Sequence, residues 1–304
     1  MVQKRTSSAS DPAADVASAL RSAWPHQRFR GVRAAGAGLT GRVFYARSDA
    51  WGPVAIKVSP AGTLGNVNDR PKDRRALFVQ EMNLLAHVRA HGLPAPRAVA
   101  IGEAEGLVML ALEWVESDDS PASPTDLGRL CAQLHLLPPP DLRLIEQHDE
   151  TVELTVAGRI RMRLEGLQAL TGEEFLSSRS RERILGAVRV PSRSRPSLLH
   201  LDFRPANLLT REGTVVGIID WANALTFEPA LELARIEQGG LLSDGFVAGY
   251  QEMMPPPLVE PLRYLGFRLD TALMLALVFL VEAPDTRMAQ AELNRVREVC
   301  AQIG

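Results

Sequence analysis

The chain has 304 residues, of which 46% are hydrophobic, enough for a sizeable core and, by length, for two domains or lobes. Its 34 basic and 36 acidic side chains give a net charge of −2, so no overall basic field favours a nucleic-acid partner. The two cysteines, Cys131 and Cys300, fall in separate predicted helices. This placement argues against a disulfide scaffold or a zinc site and indicates a reducing, cytoplasmic setting.

The N-terminal residues carry no visible targeting signal, because no apolar stretch follows Lys4 and Arg5. Residues 1–10 are polar and small and are expected to form a disordered or weakly docked tail. Ser10 or Asp11 is expected to cap an amphipathic helix that runs to about Trp24. The longest apolar run, residues 272–281, is too short to span a bilayer and predicts a buried helix, so no membrane partner is expected.

The first motif is a glycine-rich run, Gly36-Ala-Gly38-Leu-Thr-Gly41-Arg-Val43. Any glycine-rich hairpin can produce such a run, and a dinucleotide-binding motif of this spacing needs a helix directly after it. Here Val43–Ala46 follows and predicts a strand. The run therefore fits a hairpin whose backbone amides lie over nucleotide phosphates.

Lys57 lies in a second predicted strand, Val54-Ala-Ile-Lys-Val58. A lysine among residues of buried type is costly unless its charge is paired, although an edge-strand lysine that points to solvent is a common alternative. The order of the glycine-rich run and this strand favours a lysine that binds nucleotide phosphates. The next predicted helix runs from about Pro71 to His91, and Glu81 near its middle is the expected ion-pair partner, with a solvated glutamate as the alternative.

A change in composition predicts a boundary between two lobes. Two further strands are expected at Ala98–Ile101 and Leu107–Leu112, and a polar stretch, residues 117–123, follows them. Beyond it the chain is mostly helical, with a first apolar stripe from Thr125 to Leu137 in which His135 is expected to be a packing residue. The predicted division is residues 1–113 and 119–304, joined by a hinge at 114–118.

The central stretch of the chain combines two short predicted strands with polar residues at their ends. Leu198–Leu199 precedes His200-Leu-Asp202-x-x-x-x-Asn207, and Val215–Ile219 precedes Asp220. Mg²⁺ prefers hard oxygen ligands, and phosphoryl transfer needs a carboxylate beside the attacking hydroxyl. Each residue alone has an ordinary alternative, because Asp and Asn often cap helices and turns.

The wording around these residues, LLHLDFRPANLL, then VGIIDWANA and EPALELAR, resembles the aminoglycoside phosphotransferase superfamily, which is similar to protein kinases in fold. Leu201 stands where that family commonly has Gly, and Glu232 replaces its usual Asp. The resemblance implies an α+β, bilobal, protein-kinase-like fold. Its N-terminal lobe is an antiparallel sheet with a helix, and its C-terminal lobe is mostly helical.

The resemblance also implies a Mg²⁺- and ATP-dependent phosphotransferase whose acceptor is a hydroxyl of a small molecule. Asp202 is then the catalytic base, Asn207 and Asp220 bind the metal, and Lys57, held by Glu81, positions the nucleotide phosphates. His200 is expected to support the loop, and Trp221 is expected to be structural. The remaining nucleotide contacts are expected from Gly36, Gly38, Gly41 and Val43 and from the backbone between Glu113 and Val115.

The sequence motifs do not identify the phosphoryl acceptor. Aminoglycosides, other small hydroxyl compounds and the Ser or Thr hydroxyls of peptides are all used by similar proteins. A nucleotide-binding module without catalysis is the alternative from another class, and the intact set of motif residues argues against it. A pocket for a polycation should be lined by carboxylates, for which Glu228, Glu232 and Glu237 are the candidates, although helix packing or capping explains them equally well.

Overall fold

The structure is a computed structural model that describes residues 12–38, 41–192 and 194–304. The expected tail at 1–10 and the expected helix cap at Ser10 or Asp11 lie outside the described residues.

The N-terminal part of the described chain consists of helix α1, an antiparallel sheet and helix α2. Its elements are α1 (Pro12–Ala23), β1 (Phe29–Gly38), β2 (Gly41–Ser48), β3 (Gly52–Pro60), β4 (Thr63–Leu64), β5 (Lys72–Asp73), α2 (Arg74–Ala90), β6 (Ala98–Ala104) and β7 (Leu107–Glu113). The sheet has the order β1-β2-β3-β7-β6, and β4 and β5 form a small ribbon in the linker between β3 and α2. The strands and the helix predicted here from the sequence are all present.

Each face of this sheet is covered, because alternate side chains of a strand point to opposite sides. One face carries buried apolar side chains that pack on α1, among them Phe44, Ala46, Val54, Ile56, Met109 and Ala111. The other face carries Leu110 and Leu112, which pack with α2 and with residues of the C-terminal part. Lys57 alternates with Ile56 and Val58 and therefore lies on this second face.

The C-terminal part of the described chain is mostly helical. Its elements are α3 (Pro124–Leu136), α4 (Val152–Thr171), α5 (Ser178–Arg189), β8 (Ser197–Leu199), β9 (Leu208–Arg211), β10 (Thr214–Ile218), β11 (Leu225–Phe227), α6 (Ala230–Gln238), α7 (Asp244–Gln251), α8 (Pro261–Leu277) and α9 (Thr286–Ile303). A 3₁₀ turn spans Pro205–Asn207 and a π-helical turn spans Val278–Glu282. An antiparallel sheet beside a helical half confirms the predicted α+β class.

Helix α8 is the central helix of a second core, in which α4, α5 and α9 pack around it. The predicted buried run 272–281 begins in α8, where Ala272, Leu273, Ala276 and Leu277 are buried. It ends in the π-helical turn, where Val281 is 45% exposed, so the prediction of a buried helix is wrong for the end of the run. By length and composition alone, Pro261–Glu282 could cross a membrane, and half of its most apolar window is buried inside the fold. Its buried Arg263 and Asp270 both form ion pairs with other helices and loops.

Candidate active site

The site is built around Lys57, which three elements bring together with two carboxylates. The Lys57 Nζ lies 2.6 Å from Glu81 Oε2 on α2 and 3.3 Å from Asp220 Oδ1, just after β10. The side chain of Glu81 is 2% exposed and that of Lys57 17% exposed. The structure therefore places Glu81 where the sequence suggested an ion-pair partner, and it adds Asp220 to the pair.

The charges of this group shift one another's pKa values. Burial, with Asp220 adding to it, keeps the pKa of Glu81 above its ordinary value despite the neighbouring Lys57. Burial lowers the pKa of Lys57, but Glu81 and Asp220 outweigh burial and raise the pKa above its ordinary value. Burial raises the pKa of Asp220, but Lys57 and His200 outweigh it and bring the pKa below its ordinary value. Lys57 is thus a cation and Asp220 an anion at neutral pH.

The loop between β8 and β9 presents Asp202 next to Asn207. The Asn207 amide donates to Asp202 Oδ2 at 2.6 Å and to the Asp202 carbonyl at 2.9 Å. Asp202 Oδ1 accepts from Arg204 Nε at 2.8 Å. The 3₁₀ turn at Pro205–Asn207 makes these contacts possible, because it folds the chain back between the two residues.

The backbone of this loop is held from helix α6. Leu201 has φ +58°, in the left-handed region that favours glycine. The Glu232 carboxylate accepts from the N–H groups of His200 and Leu201, at 3.1 and 2.6 Å, and Arg235 donates to the Leu201 carbonyl. Burial raises the pKa of Glu232, but His135 outweighs it and lowers the pKa, so the carboxylate stays ionised.

Three aromatic side chains support the loop from inside the fold. His200 is fully buried, its Nε2 lies 2.9 Å from the Ile219 carbonyl, and its ring packs on Trp221. His135 is buried between the Tyr250 hydroxyl and Glu232. These contacts are the packing and loop-supporting environments that the sequence suggested for His135, His200 and Trp221.

The glycine-rich run forms the hairpin between β1 and β2, with Gly36 opposite Val43 and Gly38 opposite Gly41. Residues 39 and 40, at its turn, lie outside the described residues. A Cβ on Gly41 would overlap the backbone carbonyl of Val58, so close strand packing requires glycine there. Val43 is the cross-strand partner of Lys57 and therefore shares its face of the sheet.

The hinge candidates are partly used inside the N-terminal sheet. The Glu113 N–H donates to the Arg97 carbonyl at 2.8 Å, and the Glu113 carboxylate accepts from the Arg97 N–H. The Trp114 N–H donates to the Pro53 carbonyl at 3.1 Å. Among the N–H groups of residues 113–115, these bonds leave that of Val115 as the donor to consider for a base.

The three carboxylates considered for a polycation pocket are engaged within the C-terminal part. Glu228 is buried and pairs with Arg263, and Glu232 is buried under the loop at His200 and Leu201. Glu237 accepts from the Tyr264 hydroxyl at 2.8 Å. Glu228 and Glu232 therefore have packing and capping roles, which is the alternative that the sequence left open.

Two features of the site were not identified from the sequence. Arg204 donates a hydrogen bond to Asp202, and in the sequence only its position inside the motif could have indicated this contact. Beneath the loop, Asp270 lies against Arg159, Arg163 and Arg235, which belong to α4 and α6. Burial and the neighbouring Arg159 lower the pKa of Arg235 to about 10. No local pattern could have revealed this cluster, because Asp270 is far from all three arginines in the chain.

The donor set suits a hard divalent cation. Asn207 directs its amide N–H group to Asp202, which leaves its amide oxygen turned away from that carboxylate. Asp220 is ionised, and its side chain is 34% exposed beside Lys57. Amide and carboxylate oxygens are ligands that Mg²⁺ prefers.

Comparisons with known proteins identify the family and the fold of the chain. A model described as the phosphotransferase enzyme family matches residues 31–256. The fold is similar to a putative fructosamine-3-kinase from Haemophilus somnus 129PT, with a TM-score of 0.69, 16% identity and coverage of 95% of this chain and 96% of that one. None of the curated proteins matches the chain at a significant level.

Two antibiotic phosphotransferases are also similar in fold. A thermostable mutant of the aminoglycoside phosphotransferase APH(4)-Ia, in a ternary complex with AMP-PNP and hygromycin B, has a TM-score of 0.67, 16% identity and coverage of 96% of this chain and 99% of that one. The macrolide 2'-phosphotransferase MphH from Brachybacterium faecium has a TM-score of 0.55, 16% identity and coverage of 93% and 97%. The predicted kinase-like fold and the predicted enzyme class, a phosphotransferase that acts on an alcohol group, are confirmed. The chain belongs to the phosphotransferase enzyme family.

Proposed function

We propose that this protein transfers the γ-phosphate of ATP, with Mg²⁺, to a hydroxyl of a small molecule in the cytoplasm. The observation that carries the proposal is the convergence of Lys57, Glu81 and Asp220 from three distant segments, at 2.6 and 3.3 Å. A buried lysine held by one carboxylate and facing a second, half-exposed carboxylate is suited to bind phosphate and metal together.

The nucleotide lies between the sheet and the loop that carries Asp202. Lys57 binds its α- and β-phosphates, and the hairpin of Gly36, Gly38 and Gly41 covers the phosphates with backbone amides. Val43 packs on the same face as Lys57. The adenine ring bonds to the backbone at Glu113–Val115, where the Glu113 and Trp114 N–H groups are already used and the Val115 N–H is the donor we propose.

Asp202 orients the acceptor hydroxyl and accepts its proton as the oxygen attacks the γ-phosphorus. A new O–P bond forms, the bond from the γ-phosphorus to the bridging oxygen breaks, and ADP leaves. Asn207 holds Asp202 Oδ2, which fixes the direction of the carboxylate toward the acceptor. Asn207 and Asp220 are the residues that would hold Mg²⁺, and the ion when bound neutralises charge on the phosphate oxygens.

The proposal is tested by acceptor-stimulated ADP release with Mg·ATP. The panel contains neutral sugars, aminoglycosides, a macrolide and Ser-containing peptides, so that antibiotic and peptide acceptors are both included. We expect at least one small hydroxyl compound to stimulate release, and Asp202→Ala to lose this stimulation while it retains nucleotide binding. Asp49→Ala is the matched control, because it removes an exposed carboxylate in the turn between β2 and β3.

Three outcomes would contradict the proposal or part of it. Stimulated transfer that survives in Asp202→Ala would remove this residue from the base role. Nucleotide binding without stimulation by any acceptor would instead favour the non-catalytic binding module. Stimulation by the peptides alone would move the acceptor from small molecules to Ser or Thr hydroxyls.

A further inference from the structure

We propose that the acceptor site selects hydroxyl compounds that also carry an anionic group, that it disfavours polycations, and that Arg204 is the residue that selects. The inference rests on the proposed function, since it names the chemical class of that acceptor. It depends on the position of Arg204, on the bonds already made by Asp202, and on the pairing of the nearby carboxylates.

Arg204 lies at the entrance to the base. Its side chain is 57% exposed, and Pro205 and Ala206 beside it are also exposed. Its Nε nevertheless lies 2.8 Å from Asp202 Oδ1. An acceptor that brings a hydroxyl to Asp202 must therefore pass within contact distance of a guanidinium.

The bonds of Asp202 determine what an acceptor must do. Oδ2 is held by Asn207 at 2.6 Å, and Oδ1 is held by Arg204 at 2.8 Å. Asn207 is buried and fixed by two bonds, so it cannot move away from Oδ2, whereas the exposed Arg204 can share Oδ1 with an incoming hydroxyl or be displaced by it. A guanidinium released in this way is best satisfied by a carboxylate or phosphate group, which it can bind through two parallel hydrogen bonds.

The carboxylates considered for a polycation pocket are already bound within the fold. Glu228 and Glu232 are buried and bound to Arg263 and to loop amides, and Glu237 is bound to Tyr264. Below the loop, Asp270 is 0% exposed and is shared by three arginines of the described chain, Arg159, Arg163 and Arg235.

The linker between β3 and α2 follows the same pattern. Asp69 pairs with Arg163 and Lys72, and Lys72 also pairs with Glu146. Asp69, Glu146 and Asp270 are therefore each paired with cations inside the fold, and the exposed charge of Arg204 beside the base is positive. At this position the charge of Arg204 repels an ammonium group and attracts an anion.

The test compares acceptors of similar size that differ in charge. One series is glycerol, glycerate and 3-aminopropane-1,2-diol, and the second is glucose, glucuronate and glucosamine, with an aminoglycoside added as the polycation. Acceptor-stimulated ADP release gives kcat/KM for each compound with wild type, Arg204→Lys, Arg204→Gln and Arg204→Glu. Thermal unfolding of each variant confirms that the exposed substitution leaves the fold intact.

We expect wild type to prefer the carboxylate over the amine by about tenfold or more, as for a charge-assisted contact. Arg204→Lys should keep the preference, Arg204→Gln should remove it, and Arg204→Glu should reverse it. A preference for amines or for the aminoglycoside in wild type would overturn the inference and leave the proposed function standing.

Two further results would count against it. A carboxylate preference that is unchanged in all variants, with an altered KM for ATP, would assign Arg204 to the nucleotide instead. Transfer to a neutral or cationic acceptor of the wider panel, with none to glycerate or glucuronate, would overturn the inference and leave the proposed function standing, whereas no transfer to any acceptor would contradict both.

Discussion

Glu232 on helix α6 accepts a 2.6 Å hydrogen bond from the backbone N–H of Leu201, a residue held at φ +58° in the loop that carries Asp202. Both residues depart from the pattern of the superfamily that the chain resembles, which has Asp and Gly at these positions. The structure brings the two departures into direct contact. The longer carboxylate of Glu232 spans two successive amides, and the Leu201 side chain fills the core below.

Glu232→Ala should therefore destabilise the protein and lower turnover. Removal of this fully buried carboxylate leaves two amides and His135 without their partner, which costs about 2–4 kcal/mol of unfolding free energy. Glu232→Asp should lose part of this, because a side chain shorter by one methylene cannot reach both amides. Urea unfolding and kcat are measured together, with Glu237→Ala on the same helix as the control.

Parallel losses in Glu232→Ala and Glu237→Ala would contradict a special role for the bond to Leu201. An unchanged unfolding free energy in Glu232→Asp would show that the loop adapts to the shorter carboxylate.

Leu201→Gly should destabilise the protein even though it removes backbone strain. Relief of a left-handed φ contributes about 1–2 kcal/mol, whereas deletion of a buried leucine side chain costs about 2–5 kcal/mol. Leu201 is 1% exposed, so the loss of packing is the larger effect. A net loss of about 1–3 kcal/mol in urea unfolding is expected, and a gain in stability would show that strain is the larger effect.

The sequence predicted the order of the motifs and the partner of Lys57, because Glu81 is the acid that lies near the middle of the next helix. It could not predict how Leu201 and Glu232 compensate each other, since they are separated by 31 positions and meet only after α6 packs under the loop. The ion-pair cluster around Asp270 was even less predictable from the sequence. Arg159 and Asp270 are separated by 111 positions, and nothing in the local pattern of α4 distinguishes Arg159 from a surface arginine.

Lys57→Met should abolish phosphoryl transfer and also destabilise the protein. Glu81 is 2% exposed, so the loss of its cation leaves a buried charge unpaired, at about 3–5 kcal/mol. The double variant Lys57→Met with Glu81→Leu should recover most of the stability without activity. The readouts are the unfolding midpoint and Mg·ATP turnover. Recovery of turnover in the double variant would show that Lys57 acts only through the ion pair.

Asp270 should make the protein sensitive to acid. Burial raises its pKa, but Arg159, Arg163 and Arg235 outweigh burial and bring the pKa well below the ordinary value of 3.8. A depressed folded-state pKa contributes stability that is complete above about pH 4 and is lost as the pH falls further, because the unfolded state then binds more protons.

Asp270→Asn should lower the unfolding free energy at neutral pH by about 3–5 kcal/mol, since three buried guanidinium groups lose their shared anion. Its stability should also fall less steeply than that of wild type below pH 4. Urea unfolding between pH 3 and 7 measures both effects. Equal slopes for the two proteins would show that Asp270 is not the group that titrates.

Helices α3 and α7 should tolerate no side chain at their crossing. A Cβ on Gly128 would overlap the carbonyl oxygen of Phe246, and a Cβ on Gly249 would overlap that of Thr125. Both obstacles are backbone atoms, which cannot rotate away as a side chain can. Gly128→Ala must therefore push α7 outward, and we expect a loss of about 1–3 kcal/mol or more, as for other overpacked cores.

Gly186 in α5 is the matched control, because it is exposed and its Cβ would meet nothing within 4 Å. Alanine has the higher helix propensity, so Gly186→Ala should stabilise the protein by about 0.5–1 kcal/mol. The same substitution is thus predicted to act with opposite signs at two helical sites. A stabilising Gly128→Ala would mean that α3 and α7 are not in backbone contact. Helix α7 also carries Tyr250, whose hydroxyl bonds to His135, and His135 in turn contacts Glu232. Displacement of α7 should therefore also reduce turnover, whereas Gly186→Ala should leave it unchanged.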